Sequence, residues 1–149
     1  VDAPGPTQTD QETLLRDSDI VLPLAVATEE TENLIGEAEF AAMKPGVVFV
    51  NVSRGNLVDE AALEKAYASG HVARLAMDVG RAADQRPSMH LARMPRVAAT
   101  PHLGGLTPAN ADAQAMSAVE QTRAVLEGRM PERALNAGQA SRVKEFWKS

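Results

Sequence analysis

Short, uninterrupted apolar runs alternate along this chain with stretches in which apolar residues recur at helical spacing. The apolar runs, rich in β-branched residues, cover residues 20–24, 47–52, 75–79 and 97–99. Runs of this kind are typical of strands that are buried on both faces of a parallel sheet. The regular alternation of strand and helix therefore predicts an α/β protein with a doubly wound parallel sheet.

Capping residues and glycines indicate where the intervening helices begin and end. The predicted helices are one that reaches residue 15 after an N-cap at Thr9 or Asp10, one over 36–43, one over 60–69 and a long amphipathic one over 107–127. Asp59 supplies the N-cap of the third helix, and Gly70 supplies its C-terminal stop.

The composition excludes several classes of function. The 149 residues carry a formal charge of −5, and the basic residues are scattered, which argues against nucleic-acid binding. No apolar segment approaches the roughly twenty residues of a membrane span. The chain contains no cysteine, so it has no disulfide framework and is compatible with the cytoplasm, where we expect it to function. No spacing of residues indicates a metal site.

Two short segments carry candidate chemistry. Residues 51–55 read Asn-Val-Ser-Arg-Gly and residues 100–105 read Thr-Pro-His-Leu-Gly-Gly, and each follows an apolar run. The guanidinium of Arg54 can bind a small carboxylate in a bidentate manner, and the imidazole of His102 titrates near neutrality. Together they predict a site that binds a small acid and transfers a proton. The other histidines, His71 at a turn and His90 in a polar loop, are interpreted as structural.

These two segments resemble the signatures of the D-isomer-specific 2-hydroxyacid dehydrogenases. Further blocks resemble the same family in the same order: Ser-Asp-Ile-Val at 18–21, Thr-Glu-Glu-Thr at 28–31, Met-Lys-Pro-Gly at 43–46, Leu-Val-Asp-Glu at 57–60, Gly-His-Val-Ala at 70–73 and Met-Asp-Val at 77–79. The resemblance implies a Rossmann-like fold and an oxidoreductase that transfers a hydride between NAD and a 2-keto or D-2-hydroxy acid. It also implies a homodimer of the complete protein.

The resemblance assigns a role to each candidate residue. Arg54 would bind the substrate carboxylate, and His102 would be the general acid that protonates the keto oxygen. The residues implied to contact the cofactor are Asp2, Val52, Ser53, Arg54, Asp78, His102, Gly104 and Gly105. Asp2 would bind the adenosine ribose and so favour NAD over NADP, although it could equally be an unstructured terminus. Asp78 would lie near the nicotinamide, or would simply cap a loop.

One hallmark of the family is missing from this sequence. The dinucleotide-binding domain of the family begins with a strand and a Gly-x-Gly-x-x-Gly turn, which holds the pyrophosphate at a helix N-terminus. No such turn occurs here. We therefore interpret residues 1–105 as a partial NAD-binding domain that lacks its first strand and glycine-rich turn. Residues 106–149 are interpreted as a crossover helix and a tail that pack on a substrate domain.

The sequence also departs from the family within the candidate site. The family pairs its histidine with a glutamate, and at that position this chain has Ala83. The neighbouring Asp84 carries a carboxylate, and we expect it to take the place of the glutamate beside His102. Leu24 and Val26 replace the family's His-x-Pro, so the loop over the cofactor could differ in shape.

Two alternatives to an active enzyme remain open from the sequence. A dinucleotide-sensing interaction protein of the same fold with little turnover would explain the missing glutamate. A catalytically inert fragment would explain the missing glycine-rich turn. The presence of both Arg54 and His102 favours the enzyme, because a pure sensor need not keep both.

Overall fold

The structure is a computed structural model that describes Gly5 and residues 7–134 and 137–148. It comprises two compact units, Val1–Gly104 and Gly105–Ser149. Asp2, the residue implied to bind the ribose, lies outside the described residues.

The first unit contains a four-stranded sheet in which every strand is parallel to its neighbours. The strands are β1 (Ile20–Val21), β2 (Val47–Asn51), β3 (Val72–Met77) and β4 (Val97–Ala99), in the order β1-β2-β3-β4. The predicted α/β fold with a parallel sheet is therefore confirmed. β1 is shorter than the apolar run at 20–24, because Pro23 has no N–H to donate to a neighbouring strand. β3 begins earlier than predicted, since Val72 pairs with Val47 of β2.

The helices of the first unit begin and end close to the predicted positions. They are α1 (Gln11–Asp17), α2 (Glu37–Ala42), α3 (Glu60–Ala68) and α4 (Met89–Ala92). The Asp10 carboxylate accepts the N–H of Thr13, which makes Asp10 rather than Thr9 the cap of α1. The Asp59 carboxylate likewise accepts the N–H groups of Ala61 and Ala62 at the start of α3. The short α4 was not predicted, and it contains His90, which the sequence placed in a loop.

The core of this unit lies between α2, α3 and one face of the sheet. The ring of Phe40 in α2 packs edge-on against Phe49 in β2, with 5.1 Å between the ring centroids. Along β2, Val47, Phe49 and Asn51 are buried, whereas the alternate residues are only half-buried. The strands were predicted to be buried on both faces, but only one face of β2 is fully buried. The described residues leave the other face partly uncovered.

The second unit is built around one long helix. This helix, α5 (Pro108–Leu126), is capped at its N-terminus by Thr107, whose hydroxyl accepts the N–H of Asn110. It corresponds to the long helix predicted over 107–127. A short helix follows, α6 (Ser141–Phe146), and the indole N–H of Trp147 then donates to the Val125 carbonyl at 2.6 Å. That bond ties the tail to α5. Among the described residues no helix is long and apolar enough to cross a membrane.

Candidate active site

The candidate residues of the first unit lie where the strands end. Because the strands are parallel, their carboxyl ends share one edge of the sheet, which is where ligands bind in open α/β sheets. The N–H of Asp78, just after β3, donates to the Asn51 carbonyl at the end of β2 at 3.0 Å. The N–H of Thr100, just after β4, donates to the Met77 carbonyl at 2.9 Å. The segments that carry Arg54, Asp78 and His102 therefore leave the sheet side by side.

Asn51 folds the turn that carries Arg54. The buried Asn51 amide accepts the N–H of Ser53 at 3.2 Å and donates to the Arg54 carbonyl at 3.0 Å. The Arg54 side chain is exposed, and its Nη1 donates to the Ser53 carbonyl at 2.7 Å. It forms no ion pair with any residue that the structure describes. The remaining guanidinium donors are available to a ligand carboxylate.

The turn after Arg54 rests directly on the loop that follows β3. Gly55 is buried, and a Cβ atom at this position would overlap the backbone of Gly80. A Cβ atom on Gly80 would in turn lie 2.6 Å from the Arg86 carbonyl oxygen and from the Cα of Pro87. Only glycine permits such close backbone packing. The two loops are thereby held in contact beside Arg54.

Asp78 holds the loop that presents His102. Its Oδ1 accepts the Thr100 hydroxyl at 2.5 Å and the Leu103 N–H at 2.8 Å, and its Oδ2 accepts the Gly104 N–H at 2.8 Å. The donors flank His102 on both sides, and the His102 backbone has the left-handed φ of 59°. This conformation costs a non-glycine residue about 1 kcal/mol. The bonds to Asp78 offset that cost, so Asp78 caps this loop, which was one of its two interpretations from the sequence.

The same contacts determine the ionisation of Asp78. Its residue surface is only 8% exposed, and this burial raises the pKa of the carboxyl. The hydrogen bonds from Thr100, Gly104 and Leu103 lower the pKa, and the nearby charge of His102 lowers it further. The hydrogen bonds outweigh the burial, so the pKa of Asp78 lies below its ordinary value. Asp78 is therefore a carboxylate at neutral pH.

Asp84 does not pair with His102, contrary to the expectation from the sequence. Its Oδ1 accepts the backbone N–H of Arg86 at 3.1 Å, and its Oδ2 lies 3.0 Å from the Arg86 Nε. The loop closes on itself through a bond from the Gly80 N–H to the Gln85 carbonyl, and this closure keeps Asp84 beside Arg86. Neither ring nitrogen of His102 is hydrogen-bonded to a described residue. The carboxylate near His102 is Asp78.

Arg81, in the loop after β3, was not among the residues predicted from the sequence, although it binds the turn after Arg54. Its guanidinium donates to the carbonyls of Val58 and Asn56 and to the side chains of Glu32 and Asn33. The hydrogen bond from Arg81 is the main reason that the pKa of Glu32 lies below its ordinary value. The only signal in the sequence was an arginine inside the loop that departs from the family pattern. A cleft of about 380 Å³ is lined by Ala27, Arg54, Gly55, Asn56, Gly80, Arg81, Ala82 and Gln85.

The remaining candidates fall into three groups. His71 and His90 have structural partners, the Met43 carbonyl at 3.0 Å and the Glu64 carboxylate at 2.8 Å. Gly104 is close to Asp78, since a Cβ there would lie 2.9 Å from Oδ2. Gly105 belongs to the second unit.

The described residues include no group of three or more His, Cys, Asp or Glu residues that could hold a metal ion.

Comparison with known proteins identifies the family. Residues 1–104 match the family model of the D-isomer specific 2-hydroxyacid dehydrogenase, NAD binding domain. The chain belongs to this family. The match covers the whole unit that contains the sheet, so the resemblance stated from the two sequence segments is confirmed.

Individual relatives agree with this assignment. The chain is 41% identical over 103 residues to a D-3-phosphoglycerate dehydrogenase of Archaeoglobus fulgidus, covering 69% of this chain and 20% of the relative. It is 35% identical over 127 residues to a glyoxylate/hydroxypyruvate reductase B of Escherichia fergusonii, covering 85% of this chain and 39% of the relative. The chain thus spans well under half the length of these relatives.

The solved structures include a D-isomer specific 2-hydroxyacid dehydrogenase from Lactobacillus delbrueckii ssp. bulgaricus in its NAD complexed form. It superposes with a TM-score of 0.78 at 28% identity, covering 86% of this chain and 43% of that chain. The predicted Rossmann-like fold class is confirmed by this similarity.

Proposed function

We propose that the complete protein containing this chain is an NAD-dependent oxidoreductase that interconverts a 2-keto acid and a D-2-hydroxy acid. The proposal rests on two side chains that lie at the same edge of the sheet. Arg54 has free donors, and the loop of His102 is held by the buried Asp78. This sheet belongs to the NAD-binding domain family. The finer roles of the individual residues follow from their chemistry.

The sheet edge fits the nicotinamide end of NAD. Val52 is 51% exposed directly after β2 and offers an apolar surface for a planar ring. A carboxylate has about four acceptor positions, and Asp78 uses three of them, so one remains for a carboxamide N–H. Ser53, Gly104 and Gly105 are proposed to approach the cofactor with their backbones. Asp2 is proposed to bind the ribose.

The proposed mechanism assigns one task to each side chain. Arg54 binds the substrate carboxylate through two parallel hydrogen bonds and so fixes the orientation of the carbonyl. His102, in its protonated form, donates a proton to the keto oxygen during reduction and accepts it again during oxidation. Asp78 keeps the His102 loop closed through its bonds to Leu103 and Gly104. When bound, NADH supplies the hydride, and NAD accepts it in the reverse direction.

We also propose the organisation of the complete protein. Residues 1–105 form part of the NAD-binding domain, and residues 106–149 form a crossover helix and tail that pack on a substrate domain. Ile20 on the edge strand β1 is 57% exposed, and the apolar side chains of Met116 and Leu126 on α5 are also exposed. Further parts of the protein would cover these surfaces. We expect the complete protein to be cytoplasmic and to form a homodimer, and analytical ultracentrifugation would test the homodimer.

The test is an assay of NADH oxidation by the complete protein with a panel of 2-keto acids that includes glyoxylate and hydroxypyruvate. We expect turnover that His102→Asn abolishes while NADH binding remains. His90→Asn is the matched control, because His90 pairs with Glu64 on an exposed surface. Turnover that survives in His102→Asn would contradict the proposed mechanism.

A second candidate function is a dinucleotide sensor of the same fold with little turnover. The lack of a hydrogen bond between the His102 ring and any described carboxylate favours it. NADH binding without turnover on any 2-keto acid would support the sensor. Absence of both binding and turnover in the complete protein would leave the inert alternative.

A further inference from the structure

Arg81 forms hydrogen bonds to the backbone just after Arg54, the proposed substrate-binding residue. Its Nε donates to the Val58 carbonyl at 2.9 Å, and its Nη2 donates to the Asn56 carbonyl at 3.1 Å. These two carbonyls flank the end of the short 3₁₀ turn Gly55–Leu57. Arg81 therefore fixes the segment on one side of Arg54, while Asn51 fixes the other.

The same guanidinium joins this turn to a third segment. Its Nη1 donates to Glu32 at 2.8 Å, and its Nη2 donates to the side-chain oxygen of Asn33. The N–H of Asn33 also donates to the Asn56 carbonyl at 2.8 Å. Four of the five N–H donors of Arg81 are thus used within the protein, and Glu32 balances its charge. Arg81 is committed to internal contacts, so it is suited to hold a neighbour rather than to bind substrate.

The hydrogen bonds of Arg81 and the backbone contact between Gly80 and Gly55 come from consecutive residues of one loop. Gly80 packs against Gly55, and the Arg81 side chain, 33% exposed, reaches over the same turn. Backbone contact alone would allow the turn to slide along the Gly80 loop. The directional hydrogen bonds of Arg81 prevent this movement, since a guanidinium holds its acceptors in one plane.

We propose that Arg81 is a positioning residue, which holds the Asn56 and Val58 carbonyls so that Arg54 presents its guanidinium to the substrate carboxylate in one orientation. The inference rests on the proposed function. Without these hydrogen bonds from Arg81, Arg54 keeps its charge but its guanidinium samples more positions. A displacement of about 1 Å at a catalytic group can lower the rate up to 10²-fold.

The test is a double-mutant cycle in the complete protein with Arg81→Met and Arg54→Lys. We expect Arg81→Met alone to lower kcat/KM for the 2-keto acid about tenfold and to leave the KM for NADH unchanged. In the Arg54→Lys background the same change should cost less than about twofold, because the residue through which Arg81 acts is already impaired. Arg16→Met is the matched control, since Arg16 pairs with Asp17 on the surface, and it should retain full activity.

Binding of oxamate, an unreactive analogue of a 2-keto acid, gives a readout that does not require turnover. Calorimetry with NADH present should show about tenfold weaker oxamate binding for Arg81→Met than for the wild type, and less than about twofold weaker binding for the double variant than for Arg54→Lys. Glu32→Gln is the second variant, to be used if Arg81→Met does not fold. It keeps an acceptor for Nη1 but removes the balancing charge, and we expect a loss of about twofold in the same two measurements.

The outcomes separate this inference from the proposed function. If the wild-type protein is active, three results would overturn the role of Arg81. These are full activity of Arg81→Met, an equal loss of kcat/KM in both Arg54 backgrounds, and a parallel rise in the KM for NADH. A wild-type protein that neither reduces a 2-keto acid nor binds oxamate would overturn the proposed function and this inference together.

Discussion

The contacts of Asp78 yield a quantitative prediction for the substitution Asp78→Asn. An asparagine oxygen can still accept the Thr100 hydroxyl and the Leu103 N–H, but its amide nitrogen would face the N–H of Gly104. Two donors would then point at each other in a buried position. The bond to Gly104 is lost, and the other two bonds lose the contribution of a charged acceptor.

The magnitude follows from these three bonds. A hydrogen bond to a charged group contributes about 1.5–3 kcal/mol, against about 1 kcal/mol for a neutral pair. At the lower end of this range, losing one bond and weakening two costs about 2.5 kcal/mol. Asparagine also avoids the cost of burying a charge, which offsets part of this loss. We therefore expect the free energy of unfolding of the complete protein to fall by about 2 kcal/mol. We expect kcat to fall at least tenfold, because the His102 loop opens.

The assay is urea unfolding combined with steady-state kinetics, repeated at several pH values. The lowered pKa of Asp78 means that its carboxylate stabilises the folded protein above the unfolded pKa of about 3.9, and that this contribution disappears as pH falls through the lower folded pKa. The stability difference between wild type and variant should therefore narrow in acid.

Asp84→Asn is the matched control for this prediction. It makes the same chemical change in an exposed aspartate that binds Arg86, and it should change stability by less than about 0.5 kcal/mol. An Asp78→Asn variant that loses less than about 0.5 kcal/mol and retains its kcat would refute the reasoning.

Four further predictions concern the same site. Arg54→Lys should lower kcat/KM about 10²-fold, roughly 3 kcal/mol, because an ammonium lacks the planar fork, and a loss under threefold in steady-state kinetics would make Arg54 structural. Gly55→Ala should lower the melting temperature and the activity together, since its Cβ would overlap Gly80; an unchanged melting curve would contradict this contact. The pH profile of 2-keto acid reduction should be the same for Asp84→Asn as for the wild type, because Asp84 binds Arg86 rather than His102, and a shifted profile would contradict this. The 149-residue chain alone should not bind NAD with micromolar affinity in calorimetry, because its sequence has no glycine-rich turn for the pyrophosphate.

Local sequence features determined most of the fold. The alternation of apolar runs and helical patterns predicted a parallel sheet, and the caps at Asp10 and Asp59 lie where their sequence signals indicated. These features are readable because a cap or a strand depends on residues within a few positions of one another. The two motifs around Arg54 and His102 likewise predicted the family, which the comparisons confirm.

The tertiary structure decided which partner each side chain of the site has. Asp78 accepts hydrogen bonds from residues that lie 22, 25 and 26 positions further along the chain. Arg81 donates a hydrogen bond to Asn33, which lies 48 positions before it. Asp84 could have turned towards His102 or Arg86, and the closure of its own loop selects Arg86. Such choices depend on which strand ends the sheet brings side by side. A hydrogen bond acts only over about 3 Å, so residue type and spacing along the chain do not encode it until the sheet has formed.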